Sequence, residues 1–166
     1  HSINKQFATY AASRFEGASS EILDLTNYEL PLFTVDLERE IGHPEAIQHF
    51  IEKVRSADLL IISLAEHNGS YTAAFKNLFD WVSRVKPKLF EDIPLFLLST
   101  SPGGRGGLGV MEAALVRFPI HGAGIVGHFS LPKFGEHFDP QKGITDQGLR
   151  ESFEEVLQKV KQALPY

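Results

Sequence analysis

DLLIISLAEHNGSYTAAFKNLFDW, residues 58–81, passes from an unbroken apolar run through a polar turn into a helical pattern. The run from Asp58 to Ala65 is continuous rather than alternating, as a strand covered on both faces requires. Beyond the turn, Phe75, Leu78, Phe79 and Val82 recur on one side of a helix. Glu66-His67-Asn68-Gly69-Ser70 therefore stands where a strand hands over to a helix. Taken alone, this turn is also ordinary: Asn-Gly is a common turn dipeptide and Ser70 suits a helix cap.

The same unit repeats downstream. A second continuous strand, IPLFLLST at 93–100, runs into the glycine-rich STSPGGRGG at 99–107, followed by a helix over Leu108–Val116, a strand near Gly124–Ser130 and a long helix over Asp146–Leu164. Upstream, Phe7, Ala8, Ala11, Ala12 and Phe15 mark a helix over Asn4–Phe15, with Gly17 as its stop. EILDL at 21–25 reads as a short strand, TNYELPLFTVDLEREIGHP at 26–44 as a long connection, and Ala46, Ile47, Phe50, Ile51 and Val54 as one face of a helix opened by Pro44. Strands alternating with helices predict a parallel sheet with helices on both faces. Residues 1–166 read as a single domain, without repeats, low-complexity tracts or linkers.

Composition narrows the function. A formal charge of −5 provides no basic stripe for nucleic acid, and the absence of cysteine excludes thiol nucleophiles, disulfides and thiolate metal sites. No apolar stretch reaches the roughly 20 residues that span a bilayer. A soluble, cytoplasmic protein is expected. The seven histidines show no HExxH or similar spacing, so no metal site is predicted. Asp139 and Asp146 read as loop and helix-cap residues rather than a carboxylate pair.

In open parallel sheets, ligands bind beyond the carboxyl ends of the strands, where helix N-termini direct free N–H groups outward. Glu66–Ser70 and Ser99–Gly107 both lie at that edge and would frame a crevice. Gly103, Gly104, Gly106 and Gly107 let a backbone approach a flat ring. The loop lacks the Lys-Ser/Thr of a GxxxxGK[ST] phosphate loop, which argues against a nucleotide triphosphatase. Arg105 would either hold an anion or be solvated.

Together, Glu66-His67-Asn68-Gly69-Ser70, Lys76-Asn77, Asp80-Trp81 and Ser99-Thr100-Ser101-Pro102-Gly103-Gly104-Arg105-Gly106-Gly107 resemble the NAD(P)H-dependent FMN reductase family, which includes enzymes acting on quinones, azo compounds and chromate. The likeness extends to Leu30–Glu38 and to the approach to the last helix. It implies an α/β, flavodoxin-like three-layer sandwich with five parallel strands in the order 2-1-3-4-5. The cofactor implied is FMN, with NADPH or NADH as co-substrate. By the same resemblance, cofactor binding falls on Glu66, His67, Asn68 and Gly69 and on Ser101, Pro102, Gly103, Gly104 and Arg105. His67 stands where the family has tyrosine. No side chain is assigned a catalytic acid–base role.

In the resembled family a buried strand and a Gly-Ser-x-Arg-x-x-Ser-x-Asn loop precede the first helix, and here only Ser2-Ile3-Asn4 corresponds to that loop. The expectation is that residues before His1 complete the strand in the natural protein, or that the chain is an altered form. Ser2 and Asn4 would serve as phosphate ligands at a helix N-terminus, with simple N-capping as the alternative. The activity implied passes hydride from the nicotinamide to bound flavin, then electrons to a quinone, azo compound, metal oxyanion or free flavin. A homodimer or homotetramer is expected. A flavodoxin-type electron carrier and a flavin-free scaffold on the same fold are the alternatives left by composition.

Overall fold

The computed structural model describes residues 2–164. Its main sheet contains three parallel strands, β1 (Leu60–Leu64), β4 (Pro94–Thr100) and β5 (Gly124–Leu131), in the order β1-β4-β5. β1 pairs with β4 from Leu60 opposite Leu95 to Leu64 opposite Ser99, and β4 with β5 from Pro94 opposite Gly124 to Thr100 opposite Leu131. All three strands were expected, the first two from continuous apolar runs.

Alternate residues of β4 enter two different cores, because successive side chains point to opposite faces. Leu95 and Leu97 pack with α3 (Glu45–Arg55), α4 (Ala73–Val85) and α5 (Leu108–Arg117), against residues such as Ile47, Leu78, Trp81 and Val110. Phe96 and Leu98 pack with α1 (Ile3–Ser13) and α7 (Gln147–Ala163), against Phe7, Ala11, Phe153, Leu157 and Val160. The result is a three-layer α/β/α arrangement. Caps agree with the sequence reading at Asp146, whose carboxylate accepts from Leu149 N–H, and Asp139 shapes a loop by accepting from Gln141 and Lys142 N–H.

Four expectations are corrected. Glu21–Leu25 is not a strand; a short 3-10 turn occupies Leu25–Asn27. A strand exists only through its ladder, and among the described residues this segment has no neighbour to pair with. The five-strand order 2-1-3-4-5 is accordingly represented by three strands, with β1 at an edge. The connection over 26–44 contains a helix, α2 (Val35–Ile41), capped by Thr34 accepting from Leu37 N–H and stopped at Gly42 in the left-handed region. Its apolar ends, Val35 and Ile41, are exposed, so no buried periodicity announces it. Ser70 is not the cap of α4; Thr72 is, accepting from Phe75 N–H. Ser70 instead belongs to a hairpin formed by β2 (Glu66–His67) and β3 (Ser70–Tyr71).

Candidate functional site

The hairpin and the glycine-rich loop leave the sheet side by side, at the carboxyl ends of β1 and β4. In the hairpin, Glu66 faces Tyr71 and His67 faces Ser70, with Asn68 and Gly69 at the tip at φ 52° and 73°. Two consecutive left-handed residues are what a two-residue hairpin turn needs, which explains Asn-Gly here. His67, Asn68 and Gly69 are exposed, while Glu66 is half-buried. At the base, Tyr71 stacks on Phe75 and Phe118 at ring separations of 5.2 and 6.2 Å, and burial pushes its phenol upward.

The second loop is rooted through its main chain. Ser101 C=O accepts from Phe134 N–H at 3.1 Å, Gly103 C=O from Lys133 N–H at 2.9 Å, and Gly106 C=O from Ser99 Oγ at 2.8 Å. Ser99 Oγ also meets Ser130 Oγ at 2.8 Å. Gly106, at φ 61°, lies so close to β5 that a Cβ would stand 2.8 Å from Leu131 C and Pro132 N. Gly103 and Gly104 are different: both are exposed, and a Cβ on Gly104 would meet nothing within 4 Å. Among the described residues, the N–H groups of Gly103, Gly104 and Arg105 have no acceptor, nor do those of Asn68 and Gly69. Both loops thus carry unspent donors. Pro102 and the Arg105 side chain are exposed, and Arg105 makes no ion pair among the described residues.

The N-terminus of α1 lies at the same edge of the sheet, tied to the ends of β1 and β4 through Asn4. Ser2 caps the helix, accepting from Lys5 N–H at 3.2 Å, and the first N–H groups of the helix have no intrahelical partner. Asn4 is buried and turned toward the sheet. Its Nδ2 donates to Thr100 C=O at 3.1 Å, while Oδ1 accepts from Ser63 Oγ at 2.7 Å and Thr100 N–H at 3.2 Å. Asn4 therefore braces the helix against the ends of β1 and β4, a function the sequence reading missed. The polar Ser63 and the Ser-Thr end of the otherwise apolar β4 were its signal.

The Lys-Asn and Asp-Trp pairs of α4 act away from the crevice edge. Asn77 Oδ1 accepts from Phe33 N–H at 2.8 Å and Nδ2 donates to Pro31 C=O at 3.0 Å, joined by Trp81 Nε1 at 2.8 Å. One helical turn apart, the two side chains grip the main chain of Pro31–Phe33. Arg84 continues the series, holding Glu38 of α2 through Nε at 3.0 Å to both carboxylate oxygens. This guanidinium, aided by His43, keeps the Glu38 carboxyl below its ordinary range.

Comparison with known proteins bears on this geometry. The family model for NADPH-dependent FMN reductase matches residues 1–136. The chain belongs to that family. The family's members are oxidoreductases, and membership implies FMN as cofactor and NADPH or NADH as co-substrate. Among relatives of this reductase, the quinone reductase of Escherichia coli is 29% identical over 157 residues, spanning 87% of this chain and 82% of that one. The NAD(P)H-dependent FMN reductase of Pseudomonas aeruginosa is 29% identical over 145 residues, spanning 86% and 76%. The structure of the Paracoccus denitrificans flavoenzyme NAD(P)H:(acceptor) oxidoreductase FerB superposes with a TM-score of 0.72 over 99% of this chain and 92% of that one, at 19% identity. That likeness concerns the fold, which is flavodoxin-like. No described helix is long and apolar enough to cross a membrane.

Proposed function

We propose that this reductase holds FMN across the crevice at this edge of the sheet and uses it to pass electrons from NADPH or NADH to a quinone. The observation that carries the reading is the set of unspent N–H groups on both loops, at Asn68 and Gly69 and at Gly103, Gly104 and Arg105. Main-chain donors without obstructing side chains suit the carbonyl and ring-nitrogen acceptors of an isoalloxazine, and successive N–H groups favour acceptor atoms generally. The exposed faces of Gly69 and Gly104 offer the close approach a flat ring needs.

The residues divide the work. Ser2 and the free N–H groups opening α1 would receive the phosphate, since a helix N-terminus favours an anion. Asn4 would act behind them, because its carboxamide is already committed to Thr100 and Ser63. Glu66, His67, Ser101 and Pro102 would contribute through backbone and position. When bound, FMN supplies the hydride chemistry, and the protein's part is binding, orientation and access. With no acid–base side chain engaged, protons come from solvent. Quinone is the acceptor favoured by the relatives from Escherichia coli and Arabidopsis thaliana. An azo compound is the second acceptor to try, from the azoreductase relative in Bacillus. Cytoplasmic placement and a homodimer or homotetramer complete the reading, the latter supported by exposed Leu108, Val116 and Ile120.

Visible spectroscopy tests this reading. Added FMN should bind, and its absorbance should bleach under anaerobic NADPH or NADH and return on addition of a quinone. Bound flavin that resists both nucleotides would turn the reading toward an electron carrier, and no bound flavin toward a scaffold.

A further inference from the structure

We infer that the Glu66 side chain is a positioning residue that latches the hairpin to the glycine-rich loop and so sets the width of the crevice; the inference rests on the flavin site just proposed. Glu66 Oε2 accepts from Val110 N–H at 2.7 Å, across 44 residues of sequence. Val110 is the third residue of α5, and the helix has no side-chain cap of its own, because its N-cap is Gly107. A carboxylate from another loop thus supplies what an Asp or Ser cap would otherwise provide. The bond is charge-assisted and favoured by the positive end of the helix.

The contact is close because Gly109 has no side chain. A Cβ at that position would stand 2.7 Å from Glu66 Oε2 and 3.3 Å from Gly69 C=O, so the helix turn also touches the hairpin tip. Gly107 ends the glycine-rich loop as the N-cap of α5, while Glu66 begins the hairpin that carries Asn68 and Gly69. One hydrogen bond therefore ties the donors of one wall to those of the other. Glu66 would act on the flavin through this spacing, without its carboxylate touching the ring.

The test compares the full chain with Glu66→Ala and Glu66→Gln by FMN titration and by amide exchange of the apoprotein at Val110. In Glu66→Ala, FMN should bind about tenfold more weakly, the scale of one charge-assisted hydrogen bond, and the Val110 amide should exchange at least about tenfold faster. Glu66→Gln keeps an acceptor and should stay within about threefold of wild type in both measurements. Equal losses in the two variants, or a Glu66→Ala protein with wild-type affinity and wild-type exchange, would overturn the latch. A wild-type chain that takes up no FMN would defeat the flavin reading instead, and exchange at Val110 would still decide the latch.

Discussion

The two loops that frame the crevice are rooted in opposite ways. The 101–107 loop is fixed by main-chain bonds and by a glycine pressed against β5, so the fit depends on atoms that are absent. The 66–71 hairpin forms a ladder only with itself; its base stacks Tyr71 on Phe75 and Phe118, and its polar tie to α5 is the Glu66 carboxylate, so its placement depends on atoms that are present. The first loop should be sensitive to added groups, and the second to removed ones. The distinction even divides the glycines of SPGGRGG: Gly106 is spoken for by the fold, while Gly104 is open.

The sharpest challenge to this contrast is Gly106→Val. Its Cβ would meet β5 backbone in a conformation that β-branched residues avoid, and we expect a loss on the order of 3 kcal/mol in urea unfolding. A loss within experimental error would show that the loop is not rooted there. Asn4→Ala tests the brace beneath both loops. It strands Ser63, Thr100 N–H and Thr100 C=O, and should cost about 2–3 kcal/mol by the same measurement.

Gly104→Leu refines the division among glycines. Stability should change by less than about 0.5 kcal/mol, as for surface substitutions generally, while FMN affinity falls sharply in titration. Gly103→Leu should behave alike; unchanged affinity in both would move the ring site elsewhere.

The smallest effect is expected far from either loop, at Glu38. Arg84 holds this carboxyl below its ordinary value of 4.5 in the folded state. Its stabilising contribution is therefore present above about pH 4.5 and is lost as pH falls through the lower folded value. Thermal melts should show wild type losing stability more steeply than Glu38→Gln below pH 4.5, with flavin binding at neutral pH unaltered. Parallel melting curves would remove Glu38 as the source of that dependence.

Much of the architecture was legible in the residues. Continuous apolar runs at 58–65 and 93–100 marked two strands, because a strand covered on both faces has no polar side to show, and the alternating series added a third near 124–130. Helical spacing identified α1, α3 and α4, the strand–helix series added α5 and α7, and the two polar turns fell at the carboxyl edge of the sheet. The expectation failed where a segment's state depends on its neighbours. EILDL carries strand-like residues but has no ladder partner among the described residues, and α2 buries too little for its seven residues to stand out, despite Thr34 and Gly42 at its ends.

The same limit governs the site. Sequence alone determined that two polar turns stand at the carboxyl edge of the sheet and, through the combined motifs, the family to which the chain belongs. Only tertiary structure decided that Asn4 turns inward to Thr100 and Ser63, that Asn77 and Trp81 grip residues 31–33, and that Glu66 caps a helix 44 residues away. Local pattern records what a residue prefers, whereas a hydrogen bond across 44 or 96 residues exists only once packing has brought its two ends within reach.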